Sequence, residues 1–143
     1  MKRENLRPCA CGMLQKTARC IARFYDRRLK SAGIRTSQYA MLASIRRAGP
    51  VSVGELGDIL GMDQSTAVRN LSVLRQMGLI KTSPGGDARR KLATLTRRGE
   101  EKLAEALPHW KTAQRAIEDG LDADALEALA ATARRIQELT AAD

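Results

Sequence analysis

The side chains best equipped to engage another molecule lie between residues 64 and 91. Gln64, Ser65, Thr66, Arg69 and Asn70 stand close together, and Arg89, Arg90 and Lys91 follow downstream. An Arg guanidinium offers two parallel donors to guanine O6 and N7, and an Asn amide matches adenine in the same way. Ser and Thr hydroxyls suit phosphate oxygens. The chemistry is recognition of a polyanion with readable edges. Bond-making chemistry has little to work with. His109 is the one histidine. A dyad with Cys9, Cys11 or Cys20 would lack an orienting third group, and no Gly-rich phosphate loop is present.

The surrounding pattern says which elements position these groups. Asp63 is placed to cap a helix by accepting a bond from one of its first free N–H groups. Ala67, Leu71 and Leu74 recur at helical spacing as an inner stripe. Gln64, Ser65, Thr66, Arg69 and Asn70 are expected on the other side. Gly78 should end the helix as a left-handed cap. Two short strands are expected at 79–83 and 92–95, turned by Pro84-Gly85-Gly86-Asp87. A helix with a polar outer face suits the major groove, and a basic hairpin suits phosphates or the minor groove.

This stretch resembles the MarR family of winged helix-turn-helix transcription regulators. Asp87, Arg89 and Leu95-Thr96 stand at the family's D-x-R-x5-L-T spacing, and Ser65-Thr66-x-x-Arg69 precedes Met77-Gly78-Leu79-Ile80. The resemblance runs from about Cys11 to Leu139. It implies a mainly α fold, a winged helix-turn-helix with a two-stranded β-wing and long N- and C-terminal dimerisation helices. The expected organisation is an N-terminal arm and dimerisation helix (1–35), a DNA-binding domain (36–96) and C-terminal dimerisation helices (97–143). It further implies a homodimeric repressor of double-stranded DNA, released from its operator by a small ligand. By the same analogy Asp87 pairs with Arg89 and holds the wing's shape, while Arg89 or Arg90 enters the minor groove. A twofold dimer would set its reading helices roughly 34 Å apart on a pseudo-palindrome.

Composition agrees with a nucleic-acid partner. The chain has 143 residues, 43% hydrophobic and only 3% aromatic, with a net charge of +9. Up to Lys102 there are 21 Lys and Arg against 8 Asp and Glu; beyond it there are 4 against 8. The basic part therefore coincides with the helix-turn-helix and wing. The scarcity of aromatics argues against a single-stranded RNA reader, which stacks bases on them. No run is apolar enough to span a membrane and no secretory leader is evident, so a cytoplasmic protein is expected.

The rest of the chain reads as helices. From about Cys9 to Ala32, Leu14, Ala18, Ile21, Tyr25 and Leu29 share a face, and Gly33 closes the helix. Pro8 suits its first turn. Thr36 or Ser37 starts a second helix that Gly49-Pro50 stops. Ser52 and Glu55 form a capping box for a third, ending at Gly61. Thr96 caps a long helix in which Leu103, Leu107, Trp110, Gln114, Ile117 and Leu121 form a heptad seam, with a kink expected at Pro108. Asp122 or Asp124 caps the last helix, with Leu126, Leu129, Ala133, Ile136 and Leu139 as its stripe. These stripes call for a second subunit.

The sensing chemistry divides in two. Family members bind small phenolic or anionic molecules in a cleft beside the dimerisation helices, and Met13, Tyr25, Tyr39, Met41 and Trp110 are the candidates for it here, Tyr39 first. The alternative is a thiol switch through Cys9 and Cys11, because nearby cations favour the reactive thiolate. Cys20 sits between apolar neighbours and is expected to be buried and inert. Cys11 and Cys20 would lie roughly 13 Å apart along one helix, too far for a disulfide. A zinc site would need four ligands, and three cysteines with a distant His109 do not assemble one. No cofactor is expected.

Overall fold

The computed structural model describes residues 7–86 and 90–141. Helix α1 spans Ala10–Leu29 and runs into a 3-10 turn at Lys30–Ala32. Next come α2 (Thr36–Ala48), β1 (Val51–Ser52), α3 (Val53–Leu60) and α4 (Gln64–Gln76). Strands β2 (Ile80–Pro84) and β3 (Lys91–Leu95), then α5 (Arg97–Gly120) and α6 (Ala123–Thr140), complete the chain. Pro8 lies before α1, whose N-cap is Cys9.

Local chemistry sets most of the boundaries. Gly33 takes a left-handed φ of 73° after the 3-10 turn, and the Thr36 amide at the start of α2 donates to Asp26 Oδ1 at 2.7 Å. Ser52 and Glu55 close the expected capping box: Glu55 N donates to Ser52 Oγ at 3.2 Å and Ser52 N to Glu55 Oε2 at 3.0 Å. Asp63 accepts from Thr66 N at 2.7 Å. Thr96 caps α5 through Gly99 N at 3.0 Å, and Asp122 caps α6 through Ala125 N at 2.7 Å. Each such cap satisfies an N–H that the helix itself leaves free and is worth about 1 kcal/mol.

The sheet departs from expectation. It has three antiparallel strands in the order β1-β3-β2, so the wing is a hairpin with an added edge. Ile80 faces Leu95 and Pro84 faces Lys91 across the hairpin, while Val51 pairs with Ala93 and Ser52 with Leu92. Two residues before α3 carry no local strand signal. They are held by pairing with β3 and by burial of Val51, 3% exposed.

The core lies under the helix-turn-helix and reaches α1 and α5. Leu29, Met41, Leu42, Ile45, Leu56, Leu74 and Leu79 are fully buried. The seam of α5 needs correction. Its N-terminal half packs within its own protomer: Leu103 and Ala106 belong to the core, and Leu107 and Trp110 pack against it. The heptad spacing marks an apolar face and does not say whose core it covers. Helix α5 is continuous across Pro108. Helix α6 has no buried residue and makes no substantial contact with the other elements. No described helix is long and apolar enough to cross a membrane.

Candidate nucleic-acid interface

Helix α4 buries Ala67, Leu71 and Leu74. With 3.6 residues per turn, the ridge opposite that stripe is Ser65, Arg69, Ser72 and Gln76, with Val68 beside it. Gln64, Ser65, Val68, Arg69 and Gln76 are exposed. The N-terminal end of the ridge is ordered by Asp63. Ser65 Oγ donates to Asp63 Oδ1 at 3.0 Å, and Arg69 Nη2 lies 3.5 Å from Thr66 Oγ1. The Asp63 carboxyl is held below its ordinary value, first by the Thr66 backbone N–H, with the Thr66 and Ser65 side chains adding to it.

Asn70 is not on that ridge. It is half-buried on the flank facing the preceding turn, and its amide lies 3.7 Å from Met62 Sδ. The sequence reading sets it on the outer face, but three residues on from Ala67 it stands only about 60° round the helix from that buried residue, on the side of the α3–α4 turn where Met62 lies. Thr66 is also half-buried.

Three hydrogen bonds and a close approach fix the C-terminal end of α4 against the wing and α5. Gly78 has φ 74°, which lets Leu79 N reach back to Leu74 O at 3.0 Å. Thr96 N then donates to Leu79 O at 3.1 Å, and Thr96 Oγ1 donates to Gly78 O at 2.6 Å. Gly99 packs directly against the Leu79 carbonyl; a Cβ there would sit 2.0 Å from that oxygen. The Leu-Thr of the signature is therefore a junction: one hydroxyl accepts from the first turn of α5 and donates to the turn that ends α4.

Asp87 and Arg89 lie outside the described residues, so the expected wing pair and the minor-groove role of Arg89 have no geometry here. Arg90 and Lys91 are described and exposed. Arg90 has a partner that sequence reasoning missed. Its Nη2 is paired with Glu55 Oε1, and both side chains are about half exposed, at 53% and 51%. Glu55 is assigned from sequence only to its capping box, and its second oxygen is free to take the guanidinium. Its carboxyl is held low by the Ser52 backbone N–H first, then by the Ser52 hydroxyl and Arg90.

The expected ligand residues divide. Tyr39 and Trp110 stack on each other, centroids 5.7 Å apart and 16° between planes, and Met41 is 1% exposed. Tyr25 donates to Gln114 Oε1 at 2.5 Å, joining α1 to α5. Burial, and secondarily Glu118, pushes its phenol up. Met13 is 50% exposed near the start of α1. An open cleft of about 700 Å³, lined by none of these five, lies where Asp26, Arg27, Lys30 and Arg35 meet Gln38 and Met77. Its three cations were not singled out from sequence.

The cysteine expectations change in one respect. Cys9 and Cys11 are exposed, but so is Cys20, with Arg23 Nη2 3.5 Å from its sulfur. Its apolar neighbours Ile21 and Phe24 suggest burial, yet among the described residues Cys20 stays exposed on α1. Among the described residues no group of three or more His, Cys, Asp or Glu is arranged to hold a metal.

Comparison with known proteins places this geometry in a family. A sequence profile of the MarR family matches residues 32–90. The uncharacterized HTH-type transcriptional regulator YwoH of Bacillus subtilis is 30% identical over 92 residues, 64% of this chain and 67% of that protein. The M. tuberculosis transcriptional regulator MosR, solved in complex with DNA, is 31% identical and superposes with a TM-score of 0.82, covering 92% of this chain and 98% of that one. PcaV of Streptomyces coelicolor, solved with its natural ligand, shares the fold at 19% identity, with a TM-score of 0.84 and coverage of 96% and 98%. The chain belongs to the MarR family and is a DNA-binding transcriptional regulator rather than an enzyme.

Proposed function

We propose that the chain is a homodimeric, cytoplasmic repressor that grips a pseudo-palindromic operator with two copies of α4 and lets go when a small anionic ligand binds. The observation that carries this reading is α6. An amphipathic helix of 18 residues with nothing buried lacks the tertiary packing that supplies most helical stability in proteins; Leu129 and Leu139 stand 51% and 67% exposed. Leu14 and Ile21 of α1, 44% and 37% exposed, offer an apolar face from the other end of the chain. A second copy covers both. Ser65, Arg69, Arg89, Arg90 and Lys91 carry the DNA contacts on this reading. Thr66 and Asn70 support them from the flank, and Asp87 shapes the wing.

For the ligand, the cleft of Arg27, Lys30 and Arg35 offers the chemistry an anion needs, and PcaV with its natural ligand gives a precedent within the fold. The thiol alternative rests on the exposure of Cys9 and Cys11 alone. One experiment tests these readings. Fluorescence anisotropy is run on DNA upstream of the protein's own gene, at one stated salt concentration, on reduced and peroxide-treated protein, with and without an aromatic carboxylate such as benzoate. Light scattering gives the mass. Binding as a dimer, lost with the carboxylate but not with peroxide, is the expected result. Peroxide release that Cys9→Ser, Cys11→Ser protein resists moves the switch to the thiols. A monomer that binds as tightly as any dimer overturns the proposal.

A further inference from the structure

Two large apolar side chains of α4 stand exposed, Val68 at 48% and Val73 at 43%, and of these Val68 lies in the N-terminal half of the helix. It stands one residue before Arg69 and four before Ser72. It forms one wall of a groove of about 380 Å³ between α4 and the wing, together with Ser72, Arg75, Thr82 and Lys91. Val53, Leu71 and Ala93 complete an apolar floor to this groove, and Arg75 and Lys91 give it two cations. An isolated exposed apolar residue is ordinary on a protein surface. Here its place sets it apart, because it stands in the N-terminal half of a helix-turn-helix reading helix, the part that meets base edges. The cations beside it draw the polyanion that would close over it.

We propose that Val68 is a specificity-determining residue that reads the 5-methyl group of a thymine in the major groove. The inference rests on the reading above that α4 enters that groove. The 5-methyl is the apolar feature that distinguishes thymine there, and apolar side chains recognise it by contact. Val68 can neither donate nor accept a hydrogen bond, so it adds nothing at cytosine, guanine or adenine edges and leaves their polar groups without a partner. Selectivity for thymine over a base lacking the methyl follows from the burial of one methyl-sized group against another. That is about 0.8 kcal/mol, or about fourfold for each half-site at 1.4 kcal/mol per tenfold.

The test uses the full chain. Wild-type protein selects duplexes from a random library, and the enriched sequence is then made with deoxyuridine replacing thymine, one symmetric pair of positions at a time. Deoxyuridine keeps the base pair and removes only the methyl. At one pair, wild type should lose about fourfold per half-site in anisotropy titrations. Val68→Ser should lose nothing there, and in its own selection should no longer fix that thymine while fixing the other columns. Thermal melting of Val68→Ser, expected to match wild type, separates this from misfolding. Equal binding to thymine and deoxyuridine duplexes at every position overturns the inference, as does an equal methyl effect in Val68→Ser. If wild type enriches no sequence, the base-reading proposal for α4 fails first and takes this inference with it; enrichment without a methyl effect removes the inference alone.

Discussion

Replacing Gly99 with alanine should cost far more than a single methyl on a helix suggests. The Cβ would stand 2.0 Å from the Leu79 carbonyl oxygen and 3.0 Å from its carbon, so the two backbones must separate by about 1 Å. They have little room to do so. The oxygen is held by Thr96 N at 3.1 Å, Leu79 N by Leu74 O at 3.0 Å, and the neighbouring Gly78 carbonyl by Thr96 Oγ1 at 2.6 Å. Alanine gains up to about 1 kcal/mol over glycine in helix propensity. Against this stand about 1–3 kcal/mol of overpacking strain and about 1 kcal/mol for each junction bond that breaks. The net is a loss of about 2–3 kcal/mol, or roughly 6–12 °C in Tm for a chain of this size. Gly54 supplies the control. It also lies in the first turn of a helix, α3, and its added Cβ meets nothing within 4 Å, so Gly54→Ala should stabilise by about 0.5 kcal/mol. Melting followed by circular dichroism measures both. If Gly99→Ala melts at or above wild type, the close approach is softer than these bonds imply and the account of the junction is wrong.

The other predictions concern the interface and its caps. Arg89→Ala should weaken duplex binding by well over tenfold while moving Tm little; unchanged affinity at fixed salt would refute the wing's role. Glu55→Gln frees Arg90 from its ion pair while keeping an amide oxygen for the cap, so the slope of log affinity against log salt should steepen by about one per subunit, as one more phosphate contact requires. An identical slope means Arg90 does not reach the backbone. Acid should reveal Asp63 and Glu55. Both are held below their ordinary values of 3.8 and 4.5, so the folded state resists protonating them. Their contribution is complete above about pH 4.5 and drains away as pH falls below 4. The Tm gap between wild type and Asp63→Ala should therefore narrow from pH 6 to pH 3; a gap of constant width would mean the Asp63 charge contributes nothing.

What the sequence made legible was whatever local chemistry decides. Asp63, the Ser52–Glu55 box, Thr96 and Asp122 open their helices as read, because a capping oxygen and the N–H it serves lie within three residues. The stripe of Ala67, Leu71 and Leu74 is buried as periodicity requires. The misreadings concern groups whose environment comes from far along the chain. Asn70 is the exception, set on the flank by the helix's own angle, about 60° from Ala67, beside Met62. β1 exists because β3 passes beside it, forty residues later in sequence. Cys20 has apolar neighbours in sequence but is exposed among the described residues. The seam of α5 is a single stripe with two fates, covered by α1 and α2 near its start and left open toward Leu121.

The cleft suggests how two such fates become one mechanism. Arg27 and Lys30 belong to α1 and the turn after it, Arg35 and Gln38 to the start of α2, and Met77 to the end of α4. Gln38 already touches Met77, with its amide 3.9 Å from the sulfur. On the function proposed above, a ligand held by the cations would touch Gln38 and Met77, which line the same cleft, and Met77 caps the C-terminal end of α4. That end is locked to α5 through Gly78, Thr96 and Gly99, and α5 leads to the uncovered helix α6. A small displacement at Met77 would not be absorbed locally, because the junction it meets has no slack. It would pass to the angle between α4 and α5. In a dimer that angle sets the separation of the two reading helices, and a separation that no longer matches one turn of DNA, roughly 34 Å, costs both half-sites at once.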